Sequence, residues 1–256
     1  MSNDISYLGI FYLCLLILPT LYINYRLNIQ LNKKIIISVV RMIIQLSLVG
    51  VYLQYIFDFN NSILNVVYIL IMMFVASISI TNSTPLKKKK LYLPIYLSML
   101  IPNLFMVLFF NKFVIALDNV FDARYIITIG GMLLGNVLSG DIIGINTFFK
   151  DLEENKKIIN YDLGLGATLL QAITPYIKNS LTASIRPTVS SMATIGLVAL
   201  PGMMTGQILG GSVPLEAIMY QIAIMIAIYV TRYINILGSI LFTKNSLFDN
   251  LDQIDF

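Results

Sequence analysis

The chain reads as an all-α, polytopic membrane protein of about seven transmembrane helices, with its N-terminus outside and its C-terminus cytoplasmic. Three observations lead there. Hydrophobic residues make up 57% of the 256 positions and charged residues 12%, with a mean hydropathy of +0.82. A soluble domain carries about 25% charged residues, so this chain cannot cover a water-facing surface of its size. Seven apolar stretches come close to the roughly 20 residues a helix needs to cross a hydrocarbon core. They lie near 5–23, 35–57, 63–80, 91–110, 125–149, 190–209 and 215–242. Finally, the basic residues alternate between successive connections, as they do when one side is cytoplasmic.

In chain order, the first stretch has no basic side chain ahead of it and no small-x-small cleavage site after it, so it reads as a retained anchor. It holds Cys14, the only cysteine; with no histidine in the chain, an internal disulfide and a thiolate–imidazole metal site are both excluded. Arg26, Lys33 and Lys34 follow it. The second stretch places Arg41 and Gln45 four residues apart on one face. Arg41 is about two turns from the cytoplasmic end, within snorkelling reach, so anchoring and function are both open. Between the third and fourth stretches stands the lysine run 87–90, a topology determinant rather than a nucleic-acid site, with favourable contact to anionic lipid headgroups.

The fifth stretch is glycine-rich, with Gly130, Gly131, Gly135, Gly140 and Gly144, and the spacing of Gly131 and Gly135 suits close helix packing. It also carries Asn136, Ser139 and Asp141. A carboxylate facing lipid is costly, which makes a polar interior the alternative to simple packing, and Arg232 in the last stretch is a candidate partner. The longest connection, about 150–187, carries Lys150, Lys156, Lys157, Lys178 and Arg186. It begins as a charged extension of the fifth helix and is interrupted at Gly164 and Gly166, both costly in a helix interior. An amphipathic helix then resumes, with Leu169, Leu170, Ile173, Ile177 and Leu181 on one face and Pro175 marking an end or restart. Counting Lys244, thirteen basic residues fall on one side and two, Lys112 and Arg124, on the other. The whole chain, 1–256, reads as one membrane domain with a cytoplasmic coupling segment near 150–187.

The sixth stretch contains Pro201, Gly202, Met203, Met204, Thr205 and Gln207. A proline followed by glycine at mid-span frees backbone acceptors, and such backbone is tolerated at membrane depth only against protein or a water-filled cavity. A hinge on the substrate path is the preferred reading, with methionine packing and soft metal contact as alternatives. No GxxxxGK[ST] loop and no paired carboxylates occur, so the chain reads as a transport subunit rather than an enzyme. Energy for uphill transport comes either from an ion gradient, with Asp141 and Arg232 as the couple, or from another polypeptide.

The segments LGLGATLLQAITP (163–175), SLTASIRPTVSSMATIGLVALPGMMTGQILGG (180–211), PLEAIMYQI (214–222) and TIGGMLLGNVLSG (128–140) together resemble the FetB (YbbM) family of ABC-transporter permeases, iron exporters to which the plant aluminium-tolerance permeases are related. The resemblance implies a membrane subunit, a homodimer, in the plasma membrane and docked to a separate cytoplasmic ATPase. ATP and Mg would be bound by that partner, with no cofactor in this chain. The docking glycine–alanine pair of such permeases corresponds here to Gly166 and Ala167, with Gly164, Thr168 and Gln171 around it. Importer permeases often carry Glu-Ala-Ala six residues ahead of that glycine; this chain has Asn160, Tyr161 and Asp162.

Overall fold

The computed structural model describes residues 6–84 and 91–244. The lysine run 87–90 lies outside the described residues. Within them the fold is helical: α1 Tyr7–Leu15, α2 Ile17–Arg26, α3 Asn32–Phe59, α4 Ser62–Ser83, α5 Tyr92–Phe109, α6 Ala123–Glu154, α7 Lys156–Gly164, α8 Leu169–Thr194, α9 Gly202–Leu209 and α10 Pro214–Lys244. Six runs are long and apolar enough to cross a membrane: Tyr7–Arg26 (α1 with α2), α3, α4, α5 with the turn that follows it, α6 and α10. The described helices fall into two compact units, α1 to α3 and α4 to α10, where the sequence reads as one domain.

In the first unit, the Asn32 amide donates to the Leu21 carbonyl at 3.0 Å and ties the start of α3 to α2. Ile56 is the only buried residue of these three helices.

The second unit is a bundle in which α6 touches α4, α8 and α10, and α5 packs between α4 and α10. Its ends are fixed by side-chain caps, which supply the acceptors that the first backbone N–H groups of a helix lack. Asn61 accepts from Ile63 N–H at 2.9 Å at the head of α4, and Asp122 accepts from Arg124 N–H at 3.0 Å at the head of α6. Asn60 joins those two ends, donating to Asp122 at 2.9 Å and accepting from Ala123 N–H at 2.8 Å. A π-helical turn, Phe110–Val114, widens the end of α5.

Close packing in this bundle rests on glycine, though not on the expected pair. A Cβ at Gly130 would lie 3.3 Å from Ile69, and one at Gly131 3.2 Å from Met72. Nothing lies within 4 Å of the equivalent point at Gly135. The four-residue pair in use is Gly140 and Gly144: Arg232 of α10 lies against Gly140, and Ile236, one turn later, occupies the space at Gly144. Ser180 of α8 donates to the Gly144 carbonyl at 2.7 Å, so three helices meet at that glycine.

Three expectations about the second half are corrected. The stretch 190–209 is not one helix. α8 begins at Leu169 and runs to Thr194, passing through both Pro175 and Pro187, so Pro175 does not end it. Each proline leaves the carbonyl four residues earlier without its N–H donor, Gln171 and Ala183 respectively, but a 26-residue helix packed on α6 and α10 outweighs that loss. The non-helical stretch is 195–201, a turn in which Gly196 takes φ +84° and donates to the Ala199 carbonyl at 3.0 Å. Gly202 to Gln207 are helical, as part of α9, rather than unwound.

Candidate functional site

A polar seam runs through the bundle where α5, α6 and α10 meet. Asp141 on α6 is fully buried. One carboxylate oxygen, Oδ2, accepts from Asn235 Nδ2 at 2.6 Å and from Ser239 Oγ at 3.0 Å, both on α10. The other, Oδ1, is buried without a partner. Ser239 and Ser98 share a 2.7 Å hydrogen bond that carries the seam to α5, where Asn103 donates to the Met99 carbonyl at 2.7 Å and reaches Asn235 at 3.4 Å. Buried polar groups are retained when they are hydrogen-bonded, and this carboxylate has found neutral donors rather than a cation.

Arg232, the expected partner, looks elsewhere. Its Nη1 donates to Thr188 at 2.8 Å and its Nε reaches Ser184 at 3.5 Å, both hydroxyls on α8. Lys150 and Glu154 form an ion pair at 3.7 Å on the surface, whereas Asp141 and Arg232 do not pair directly. The reason is geometric. Arg232 is laid over Gly140, while Asn235 and Ser239, one and two turns further along α10, meet Asp141.

Beside Arg232 opens a cavity of about 300 Å³, lined among others by Asn136, Thr188, Ser191, Thr194, Pro201 and Arg232. It sits under the turn between α8 and α9. Asn136, singled out from sequence, is there, with its amide donating to the Met132 carbonyl at 2.9 Å. Of the expected hinge residues only Pro201 lines it; Gly202, Met203, Met204, Thr205 and Gln207 do not. Met204 is buried, and Thr205 donates its hydroxyl to the Pro201 carbonyl at 3.0 Å. Arg41 and Gln45 are exposed on α3. Among the described residues no three His, Cys, Asp or Glu side chains gather as a metal site.

The second region of interest is the elbow between α7 and α8. α7 closes with the Ala167 N–H donating to the Asp162 carbonyl at 3.1 Å and the Gly166 N–H to the Leu163 carbonyl at 3.0 Å, with Gly166 at φ +92°. That is a Schellman closure, and the left-handed position is one that glycine fills without a Cβ penalty. Thr168 then starts α8 in a reciprocal cap: it accepts from Gln171 N–H at 3.3 Å, while Gln171 Oε1 accepts from Thr168 N–H at 2.8 Å. Gly164, Gly166, Ala167, Thr168 and Gln171 thus form one rigid connection. Ile173 and Ile177 are buried in the chain itself, whereas Tyr161, Leu165 and Leu170 remain exposed, Leu165 at 71%.

Sequence reasoning missed Ser98, Asn103, Ser184, Thr188, Asn235 and Ser239. A signal existed in α10, where Arg232, Asn235 and Ser239 follow a helical repeat within an otherwise apolar run.

These features define the class: a polytopic α-helical membrane protein whose bundle holds a buried polar seam and a polar cavity. The model of the family described as "Uncharacterised protein family (UPF0014)" matches residues 7–248, and the chain belongs to that family. It is 34% identical over 212 residues to "Protein ALUMINUM SENSITIVE 3" of Arabidopsis thaliana, covering 82% of this chain and 75% of that protein. It is 29% identical over 254 residues to the "Probable iron export permease protein FetB" of Escherichia coli strain K12, covering 99% and 96%. The "UPF0014 membrane protein slr1647" of Synechocystis is 33% identical over 192 residues, covering 75% and 74%. No solved structure matches the chain.

Proposed function

We propose that this chain is the membrane subunit of an ATP-driven exporter, docked through the α7–α8 elbow to a separate cytoplasmic ATPase that binds ATP and Mg. The observation that carries this reading is the elbow itself. It is held by a Schellman closure and a reciprocal cap, yet leaves Tyr161, Leu165 and Leu170 uncovered by this chain. A rigid connection with an exposed apolar face suits contact with another protein. The name of the Escherichia coli relative supports a metal ion such as iron as cargo, moving outward. The basic-residue distribution supports a topology with the N-terminus outside and the elbow on the cytoplasmic side, and the proposed membrane is the plasma membrane. A homodimer, embedded in lipid and without a nucleic-acid partner, completes the proposal. The cavity beside Arg232, bounded by Pro201, lies on the substrate path, and the turn 195–201 is its hinge.

A gradient-driven transporter is the second reading, favoured by one observation, the unpartnered buried Oδ1 of Asp141 in the bundle. Co-expression separates the two. Leu165→Glu, at an exposed position, should abolish co-purification of a co-expressed ABC ATPase while leaving the monodisperse membrane protein intact. Gly166→Trp should do the same and cost about 1 kcal/mol in stability, because φ +92° strains any residue with a Cβ. Solute uptake into proton-loaded vesicles by the chain alone, with no ATPase present, would support the second reading instead.

A further inference from the structure

We infer that the cavity under the α8–α9 turn binds an anionic group, so that whatever crosses there does so as an anion, including a metal ion held in an anionic complex. The assignment rests on the reading of this cavity as part of the substrate path. The argument begins with the charge that faces it. Arg232 is 5% exposed and lines the cavity, and its guanidinium bonds are to the hydroxyls of Thr188 and Ser184. Hydroxyls solvate a guanidinium but do not neutralise it. A cation buried at membrane depth is ordinarily matched by a counter-charge. The nearest carboxylate on α6, Asp141, acts on Arg232 through space but makes no ion pair with it: it is turned into the bundle toward Asn235 and Ser239, and it does not line the cavity, so the face of the guanidinium toward the cavity meets no negative charge.

The rest of the lining has the same bias. No Asp or Glu contributes to it, and Asn136, Thr188, Ser191 and Thr194 offer neutral polar groups around the single positive charge. A bare divalent cation entering here meets a guanidinium and no carboxylate, and hard cations require several anionic or carbonyl oxygens. A carboxylate or phosphate meets a fixed fork of N–H donors with hydroxyls beside it, the arrangement that recognises oxyanions. Arg232 cannot withdraw readily: its stem lies against Gly140, a place that exists only because α6 has no Cβ there. The volume, about 300 Å³, admits a group of the size of citrate or a phosphate ester.

The test uses the purified full-length chain in phosphatidylcholine nanodiscs, titrated calorimetrically with inorganic phosphate, citrate, ferric citrate and manganese(II) chloride. Saturable binding of one or more of the anions is expected, with none for the bare cation. Arg232→Gln should weaken anion binding about tenfold or more, and Arg232→Lys, which keeps the charge but loses the fork, should weaken it less than Arg232→Gln does. Asn136→Glu, which adds a carboxylate at the cavity while leaving Arg232 and Gly140 in place, should weaken it likewise and guards against misfolding of the first variant. Discs containing phosphatidylglycerol separate the two sources of such an anion. If no soluble anion binds but phosphatidylglycerol is retained stoichiometrically and lost in Arg232→Gln, the anion is a lipid headgroup. Anion binding unchanged in Arg232→Gln and Asn136→Glu, binding of neither anion class, or binding of manganese alone overturns the inference. ATPase capture through Leu165 is scored separately, so loss of anion binding with the complex intact removes this inference and leaves the exporter reading standing.

Discussion

α3 and α10 are long apolar helices that each carry an arginine and a glutamine, and their surroundings differ completely. α3, 28 residues, has one buried residue, Ile56, and exposes Arg41, Gln45 and Ser47. α10, 31 residues, buries Gln221, Thr231, Arg232, Asn235 and Ser239. The difference comes from the facing helix. α10 meets Gly140 and Gly144 of α6, which admit a guanidinium and an isoleucine, and Asp141, which collects two of its donors. Around Gly50 of α3 there is nothing within 4 Å of a built Cβ. A polar residue in an apolar helix therefore acquires a role from what the neighbouring helix leaves open, and the charge alone does not assign it.

Paired substitutions test how deep that difference goes. The largest effect should come from Asp141→Leu, which strips the Asn235 amide and the Ser239 hydroxyl of their shared acceptor inside the bundle. Leaving a buried donor unpaired costs about 1–3 kcal/mol each, so a loss of roughly 2–4 kcal/mol is expected in thermal unfolding of the purified protein in detergent. Arg41→Leu on α3 should stay within about 0.5 kcal/mol of the parent. Next in size is Gly144→Val, whose Cβ would lie 2.5 Å from Ile236 Cδ1 and 3.1 Å from Ser184 Cβ. Overpacking of this kind costs about 1–3 kcal/mol, against no loss for Gly50→Val. The smallest pair is Ser98→Ala, which removes the 2.7 Å contact with Ser239 and should cost about 1 kcal/mol, and Ser47→Ala, whose hydroxyl only back-bonds to Ile43 at an exposed site. Losses on α3 as large as those on α10 would break the comparison.

The same contrast explains what could be read from sequence. Hydropathy locates α4 and α10 to within three residues of their ends and α6 to within five, because each is an apolar run bounded by polar or capping residues such as Asn61 and Asp122. It failed at 190–209. α8 is rich in Ser and Thr on the face toward α6, which lowers its apparent apolarity, so its last part was joined to the apolar turn 195–201 and to α9. Asp141 and Arg232 were recognised as notable from charge, but their partners were not, since Asn235, Ser239 and Thr188 become partners only through the register of α6, α8 and α10. The glycine pair was misplaced for the same reason: Gly131 with Gly135 and Gly140 with Gly144 have identical spacing, and only the facing side chain distinguishes them. At the elbow, Gly166 was legible because its backbone requirement is local.

α6 is a single helix of 32 residues, about 48 Å long at 1.5 Å per residue, against a hydrocarbon core of about 30 Å. The helix therefore protrudes, and its free end, Lys150 to Glu154, leads directly into α7 and the elbow. From Gly140, where Arg232 rests, to Glu154 is about 21 Å along the axis. Treated as a lever pivoting at Gly140, the rod converts a tilt of about 10° into a sweep of about 4 Å at its tip. If the elbow is the docking site proposed above, a displacement handed through α7 to the tip of α6 reaches the polar seam along one unbroken helix.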